Sequence, residues 1–253
     1  MSVDWAPLNQ ELADWRAAGM VLPLWWRDDD AIEPTPELDR LSELSEALGL
    51  PVHIAVIPAT ATRELATYIA TRPHLIPVVH GWAHQNHAPA DQKKVEVGTH
   101  RPAPVVLDEI KRGQTRLTGL FGHTLRPMFV PPWNRIAPEV RDGLPKLGFK
   151  ILSTATPRKQ SVAAPGLEQI NTHLDPIDWR STRSLVPTTR LIEQTVKLLK
   201  DRREGRTDAN EPFGLLTHHL VHDEQIWTFT RDFVARLMAG PVQVWTAPTA
   251  EDE

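Results

Sequence analysis

Three consecutive aspartates, Asp28-Asp29-Asp30, follow the apolar and aromatic run Val21 to Trp26 and a single arginine, Arg27. Adjacent carboxylates repel one another, and a strand end has little use for three of them unless a cation or a proton is shared. A solvated turn is the competing reading for Asp-Asp-Asp taken alone. His80-Gly81-Trp82-Ala83-His84 sets two imidazoles at i, i+4, the spacing that puts both on one face of a helical turn where one ion can accept both. His87 lies one further turn along. Such a pair also arises by chance, so its weight comes from its place after a strand, in a chain with acids at another strand end. His218-His219, with His222 and Asp223 close behind, repeats the theme. Six of the 11 histidines thus fall in two clusters, which packing alone does not require. His53, His74, His100, His123 and His173 are scattered and read as core or surface.

Two further segments carry polar groups. Asp175-Pro176-Ile177-Asp178-Trp179 offers two acids and an indole, and Pro131-Pro132-Trp133-Asn134-Arg135 is a stiff turn presenting an indole, an amide and a guanidinium. Nine tryptophans accompany a single tyrosine, and six of them lie in or beside the polar clusters. Indoles lining a polar pocket suit the apolar faces of sugars, and filling core is the alternative use.

The elements that must position these groups alternate. Val21 to Trp26, Val52 to Ile57, Leu75 to Val79, Met128 to Val130, Phe149 to Leu152, Leu167 to Thr172, Phe213 to Thr217 and Val242 to Trp245 read as strands. Between them, helical periodicity covers Pro36 to Leu48, Thr62 to Thr71, Val105 to Leu120, Pro138 to Leu147, Thr188 to Lys200 and Glu224 to Met238. Thr35 is suited to cap the first of these helices, and Gly49 with Pro51 to stop it. This α/β alternation predicts a parallel sheet with helices outside, either open and doubly wound or closed as a barrel. Functional residues then gather at the strands' C-terminal ends, where the polar clusters sit.

The chain has 253 residues, 28 basic and 32 acidic, for a formal charge of −4. That length suits one domain over residues 1–253. No basic run supplies a nucleic-acid footprint, and the longest apolar run is far below the roughly 20 residues a membrane span needs. Neither a signal peptide nor a span is visible, so a cytoplasmic protein is expected. With no cysteine, thiolate metal sites and cysteine nucleophiles are excluded, and a metal must use His and carboxylates.

Taken in order, the clusters resemble the five motifs of the polysaccharide deacetylase family, the NodB-homology or family 4 carbohydrate esterases, and they span most of the chain. Trp26-Arg27-Asp28-Asp29-Asp30 is similar to the family's Thr-Phe-Asp-Asp-Gly, and His80 with His84 to the two histidines of its second motif. Phe129-Val130-Pro131-Pro132-Trp133-Asn134 looks like Arg-Pro-Pro-Tyr-Gly, Asp178-Trp179 like the fourth motif, and Leu215-Leu216-Thr217-His218-His219 like Leu-Leu-His-Asp. The resemblance implies a distorted (β/α) barrel of about seven parallel strands. It makes Asp28 the general base, His218 the general acid and Asp178 the group that orients it. Asp29, His80 and His84 become ligands of a divalent metal, with Trp133, Asn134, Arg135, Trp179 and Leu216 on the substrate. Two imidazoles and one carboxylate suit zinc first, and also iron, cobalt or nickel.

The implied reaction is removal of an N-acyl group, N-acetyl first, from an amino sugar or related carbohydrate, with a carbohydrate or small N-acylated molecule as the partner. A metal-dependent phosphoesterase, another amidohydrolase, and a carbohydrate-binding pseudoenzyme are the rival classes. The chain departs from the family pattern where Val130 replaces the third-motif arginine, Asp30 and Gly81 replace a glycine and a Ser or Thr, and His219 replaces an aspartate. The lost arginine held the catalytic aspartate. Arg135 is expected to substitute by reaching Asp28 or a neighbouring acid, because strand alternation turns Arg27 away from Asp28.

Overall fold

The computed structural model describes residues 3–249. Its framework is a nine-stranded, mostly parallel sheet in the order β6-β7-β5-β4-β3-β2-β1-β8, with β9 (Val242–Val244) added to β1. Strand β1 (Leu22–Ala31) lies between β2 (Val52–Val56) and β8 (Phe213–Thr217), and β3 (Leu75–His80) follows β2. Beyond it come β4 (Met128–Val130), β5 (Ile151–Leu152) and β7 (Leu167–Gln169), all parallel, while β6 (Val162–Ala164) is antiparallel to β7. After β7 a single parallel bridge, Leu174 to Leu215, ties the chain back to β8. The curl is therefore completed by one bridge rather than by a continuous ladder.

Helices α1 (Ala6–Ala17), α2 (Pro36–Leu48), α3 (Arg63–Ala70), α4 (Ala103–Phe121), α5 (Pro138–Gly143), α6 (Thr188–Arg203) and α7 (Glu224–Met238) complete the molecule. The start of α2 follows its local chemistry: the Thr35 hydroxyl accepts from Leu38 N at 3.1 Å, satisfying one of the free amides of the first turn. Gly49, at φ 66°, ends it in the left-handed region that costs glycine nothing. Among the described residues no helix is long and apolar enough to cross a membrane.

Side chains alternate across the sheet and separate two apolar clusters. Leu22, Leu24 and Trp26 of β1 join the large core that includes residues of α1, α2 and α7. Trp25 points the other way, into a smaller cluster with Ala55, Val78, Met128, Val130 and Ile151 inside the curl. This in-and-out register of two adjacent tryptophans decides what each of the following acids faces.

Candidate metal and acid-base site

Alternation along β1 puts Arg27 and Asp29 on the inner face with Trp25, and Asp28 on the outer face with Trp26. The ladder to β2 then slips between Asp29 and Ala31, a bulge at Asp30, whose φ is 79°. A bulge re-aims a side chain, and here it brings Asp29 and Asp30, neighbours in sequence, into one cleft. That cleft, of about 780 Å³, lies at the C-terminal ends of β1, β3 and β8 and is also lined by His80, His84, Trp133, Asn134, Arg135, Trp179, Leu216 and His218.

The carboxylate that meets the two histidines is Asp30, not Asp29. Asp30 Oδ1 lies 3.2 Å from His80 Nε2 and 3.3 Å from His84 Nε2, and these three residues form a group able to hold a metal ion. The donor chemistry fits one. His80 Nδ1–H donates to the Val130 carbonyl at 3.0 Å, which leaves the Nε2 of a neutral ring bare and facing an oxygen without a hydrogen-bond donor. Two facing lone pairs call for a cation between them, a metal ion or, without one, the proton that His80 takes up. Burial would raise the Asp30 carboxyl and lower His80, but the pull of Asp29 and of Asp30 on His80, and of the histidines on Asp30, outweighs it, holding Asp30 well below the carboxylate range and His80 above the imidazole value.

His80 ends β3, but His84 is not one helical turn further on. Gly81 at φ 57° breaks the chain out of the strand, and His84 itself sits at φ 55° in a loop. That loop is held from behind by buried Glu96, whose carboxylate accepts from Trp82 N (3.0 Å), Ala83 N (2.8 Å) and Gln85 N (3.1 Å). Glycine is required at position 81, because a Cβ there would lie 2.1 Å from Glu96 Oε2.

Asp29 belongs to Arg27. The Arg27 Nε lies 2.9 Å from Asp29 Oδ1 and Nη2 3.0 Å from Oδ2, a two-pronged grip. The same fully buried guanidinium reaches Asn134 Oδ1 at 2.7 Å and Ser153 Oγ at 2.8 Å. Arg135 does not do this work: it lines the same cleft, but its Nη1 donates to the Lys94 carbonyl at 2.8 Å, and it forms no ion pair with any of the three aspartates. The expectation that Arg27 turns away fails because it was framed on Asp28, whereas the rule of alternation places Arg27 beside Asp29. Val130 needs no charge, since its contribution to the site is a backbone carbonyl.

Asp28 lies outside the cleft. Its carboxylate is fully buried on the outer face and accepts from Thr217 Oγ1 (2.6 Å), His219 N (3.0 Å) and His219 Nδ1 (2.5 Å). Burial raises this carboxyl, yet His219 and Thr217 bring it below its ordinary value. No water can reach it, so the structure does not support it as a base.

His218 faces the cleft, its ring 4.7 Å from that of Trp179 in an edge arrangement. Asp178 is not directed at it but caps its own turn, accepting from Arg180 N and Ser181 N at 3.2 Å each. Asp175 lines the same cleft and accepts from Ile177 N (2.9 Å) and Trp179 Nε1 (2.7 Å). Its carboxyl is raised by burial, against the pull of His218. Trp133, Asn134, Arg135, Trp179 and Leu216 all reach the cleft. Six non-glycine residues among those described have left-handed φ, and five of them, Asp30, His84, Trp133, Asn134 and Arg183, line it. Such conformations persist where function demands them.

No family profile and no curated protein sequence matches the chain. Solved structures do. A family 4 carbohydrate esterase from Streptomyces lividans, in complex with acetate, aligns over 88% of this chain and 92% of its own, with TM-score 0.54 and 16% identity. A Streptococcus mutans esterase of the same family aligns over 94% and 91%, with TM-score 0.57 and 8% identity. A family 4 acetyl xylan esterase from Clostridium thermocellum, in complex with a cobalt ion, aligns over 88% and 87%, with TM-score 0.51 and 12% identity. The chain has the fold of the family 4 carbohydrate esterases. At these identities the likeness is one of architecture; the two acids of Asp28-Asp29-Asp30 that line the cleft are Asp29 and Asp30.

Proposed function

We propose that the chain is a divergent polysaccharide deacetylase that removes an N-acyl group, N-acetyl in the first instance, from an amino sugar, using a divalent metal held by Asp30, His80 and His84. The observation that carries this reading is the convergence of that trio with a second carboxylate, Asp29, and an imidazole, His218, in one cleft. A divalent ion, zinc as the first choice for two imidazoles and a carboxylate, supplies polarisation of the acyl carbonyl and a lowered pKa for water.

The protein's own groups do the rest. Asp29, locked by Arg27, is placed to accept the proton of the attacking water, and His218 to give one to the departing amine. Amide cleavage needs both, because an amine leaves only when protonated. Trp133 and Trp179 offer apolar surfaces for the sugar ring.

Two assays test this reading. Acetate release from N-acetyl sugars should depend on added zinc or cobalt. His218→Ala should slow an N-acetyl amide far more than an aryl acetate, whose leaving group needs no proton. Equal losses on both substrates would remove His218 from the acid role.

A further inference from the structure

The rim of the cleft is cationic. Lys94 lies in the loop after β3, Arg135 follows the turn after β4, and Arg183 lies in the loop between β7 and α6. None has a carboxylate partner among the described residues: Arg135 touches only a carbonyl, and Arg183 lies over the Trp179 ring at 5.6 Å. The acids of the same cleft are already committed, Asp29 to Arg27, Asp30 to the cation it would share with the two histidines, and Asp175 to a backbone amide and an indole. In a chain of formal charge −4, three unpaired cations round one opening concentrate anions there. Two are arginines, whose planar fork matches a carboxylate or phosphate.

We propose that Lys94, Arg135 and Arg183 make the cleft selective for an N-acyl amino sugar that carries an anionic group. The inference rests on the deacetylase reading for the N-acyl group, but the anion selectivity stands on the rim alone. Arg183, already stacked on the indole that would meet the sugar ring, is the residue best placed to hold the charge beside a bound ring.

The test is calorimetric binding to the metal-loaded protein of three probes: N-acetylglucosamine, its 6-phosphate and N-acetylmuramic acid. At least one anionic sugar is expected to bind about tenfold tighter than the neutral one, the fold-change a single charge-assisted hydrogen bond supplies. The stronger of the two distinguishes phosphate from carboxylate. Arg135→Gln and Arg183→Gln should each shrink the ratio of anionic to neutral affinity, their combination should bring it towards one, and about 0.5 M salt should do likewise. Equal affinities for all three sugars, a preference that survives the double substitution, or no binding of any probe would overturn the proposal. Acetate release measured alongside separates the two ideas: tight anionic binding without release from any sugar defeats the deacetylase reading and leaves the selectivity standing.

Discussion

The two faces of β1 at its C-terminal end carry the same chemistry to opposite outcomes. On the outer face, Asp28 meets His219 and Thr217 in a sealed cluster where each carboxylate oxygen has a donor. Asp29 and Asp30, on the inner face, open on a cleft with a basic neighbour each and lone pairs left over. A buried acid–histidine pair whose carboxylate oxygens each have a donor is a structural joint, here fastening β1 to β8, with only His219 Nε2 left without a partner among the described residues. An acid–histidine group short of donors and open to solvent is a place for a ligand. Residue type does not distinguish the two; the donors that reach the carboxylate and its access to the cleft do.

The comparison breaks most visibly on the inner face. His80→Ala or His84→Ala should leave the ion with two protein ligands, so that both metal content and deacetylation fall to background, as read by elemental analysis and acetate release. Asp29→Asn should keep the metal and lower turnover by about 10²–10⁴-fold, the range of a lost general base. Glu96→Gln, which weakens the support of the His84 loop without touching the cleft, should cost metal affinity about 10–100-fold, measured by chelator competition.

Outer-face changes should move stability instead. Asp28→Ala strips His219 of its partner and is expected to cost about 3–5 kcal/mol, lowering the melting temperature by roughly 10 °C while the metal stays bound at lower temperature. A smaller effect concerns His53 of β2, whose Nδ1–H donates to Trp26 O and whose Nε2 accepts from Ala247 N, at 3.0 Å each. Burial pushes its pKa down from 6.5 to about 4. The unfolded chain therefore takes up this proton first as pH falls, so His53's contribution is full above pH 6.5 and is lost progressively towards pH 4. His53→Gln should make stability fall less steeply between pH 6.5 and 4, leaving the shares of His173 and His222, which are lowered to about 4 as well.

Much of the frame was legible in the sequence. The Thr35 cap, the Gly49 stop and the limits of α7 and β8 follow from local chemistry that the tertiary structure does not override. Helix α1 escaped, because its buried Leu8, Leu12 and Trp15 are interrupted by Glu11, which is itself buried and paired with Arg203. At the site, the histidines were legible and the acids were out of frame by one. In Asp-Asp-Asp any adjacent pair fits an Asp-Asp motif, and the pair in use is set by which of Trp25 and Trp26 faces inward and by a bulge at Asp30. Two adjacent tryptophans carry no alternation of polarity from which to read that direction. The helical turn expected for His80 and His84 failed on Gly81, whose positive φ serves the close approach of Glu96. Glu96 itself, 12 residues beyond His84 in a loop, had no local signal.

The frame of the acid pair is the central claim, and metal stoichiometry of two neighbouring variants tests it most directly. Asp29→Asn and Asp30→Asn differ by one position; the first also leaves the buried Arg27 charge unpaired, so a melting curve for each accompanies the metal analysis. Elemental analysis after dialysis is expected to find the ion retained in Asp29→Asn and lost in Asp30→Asn. Loss in Asp29→Asn with retention in Asp30→Asn would contradict the account and return the ligand role to the middle aspartate.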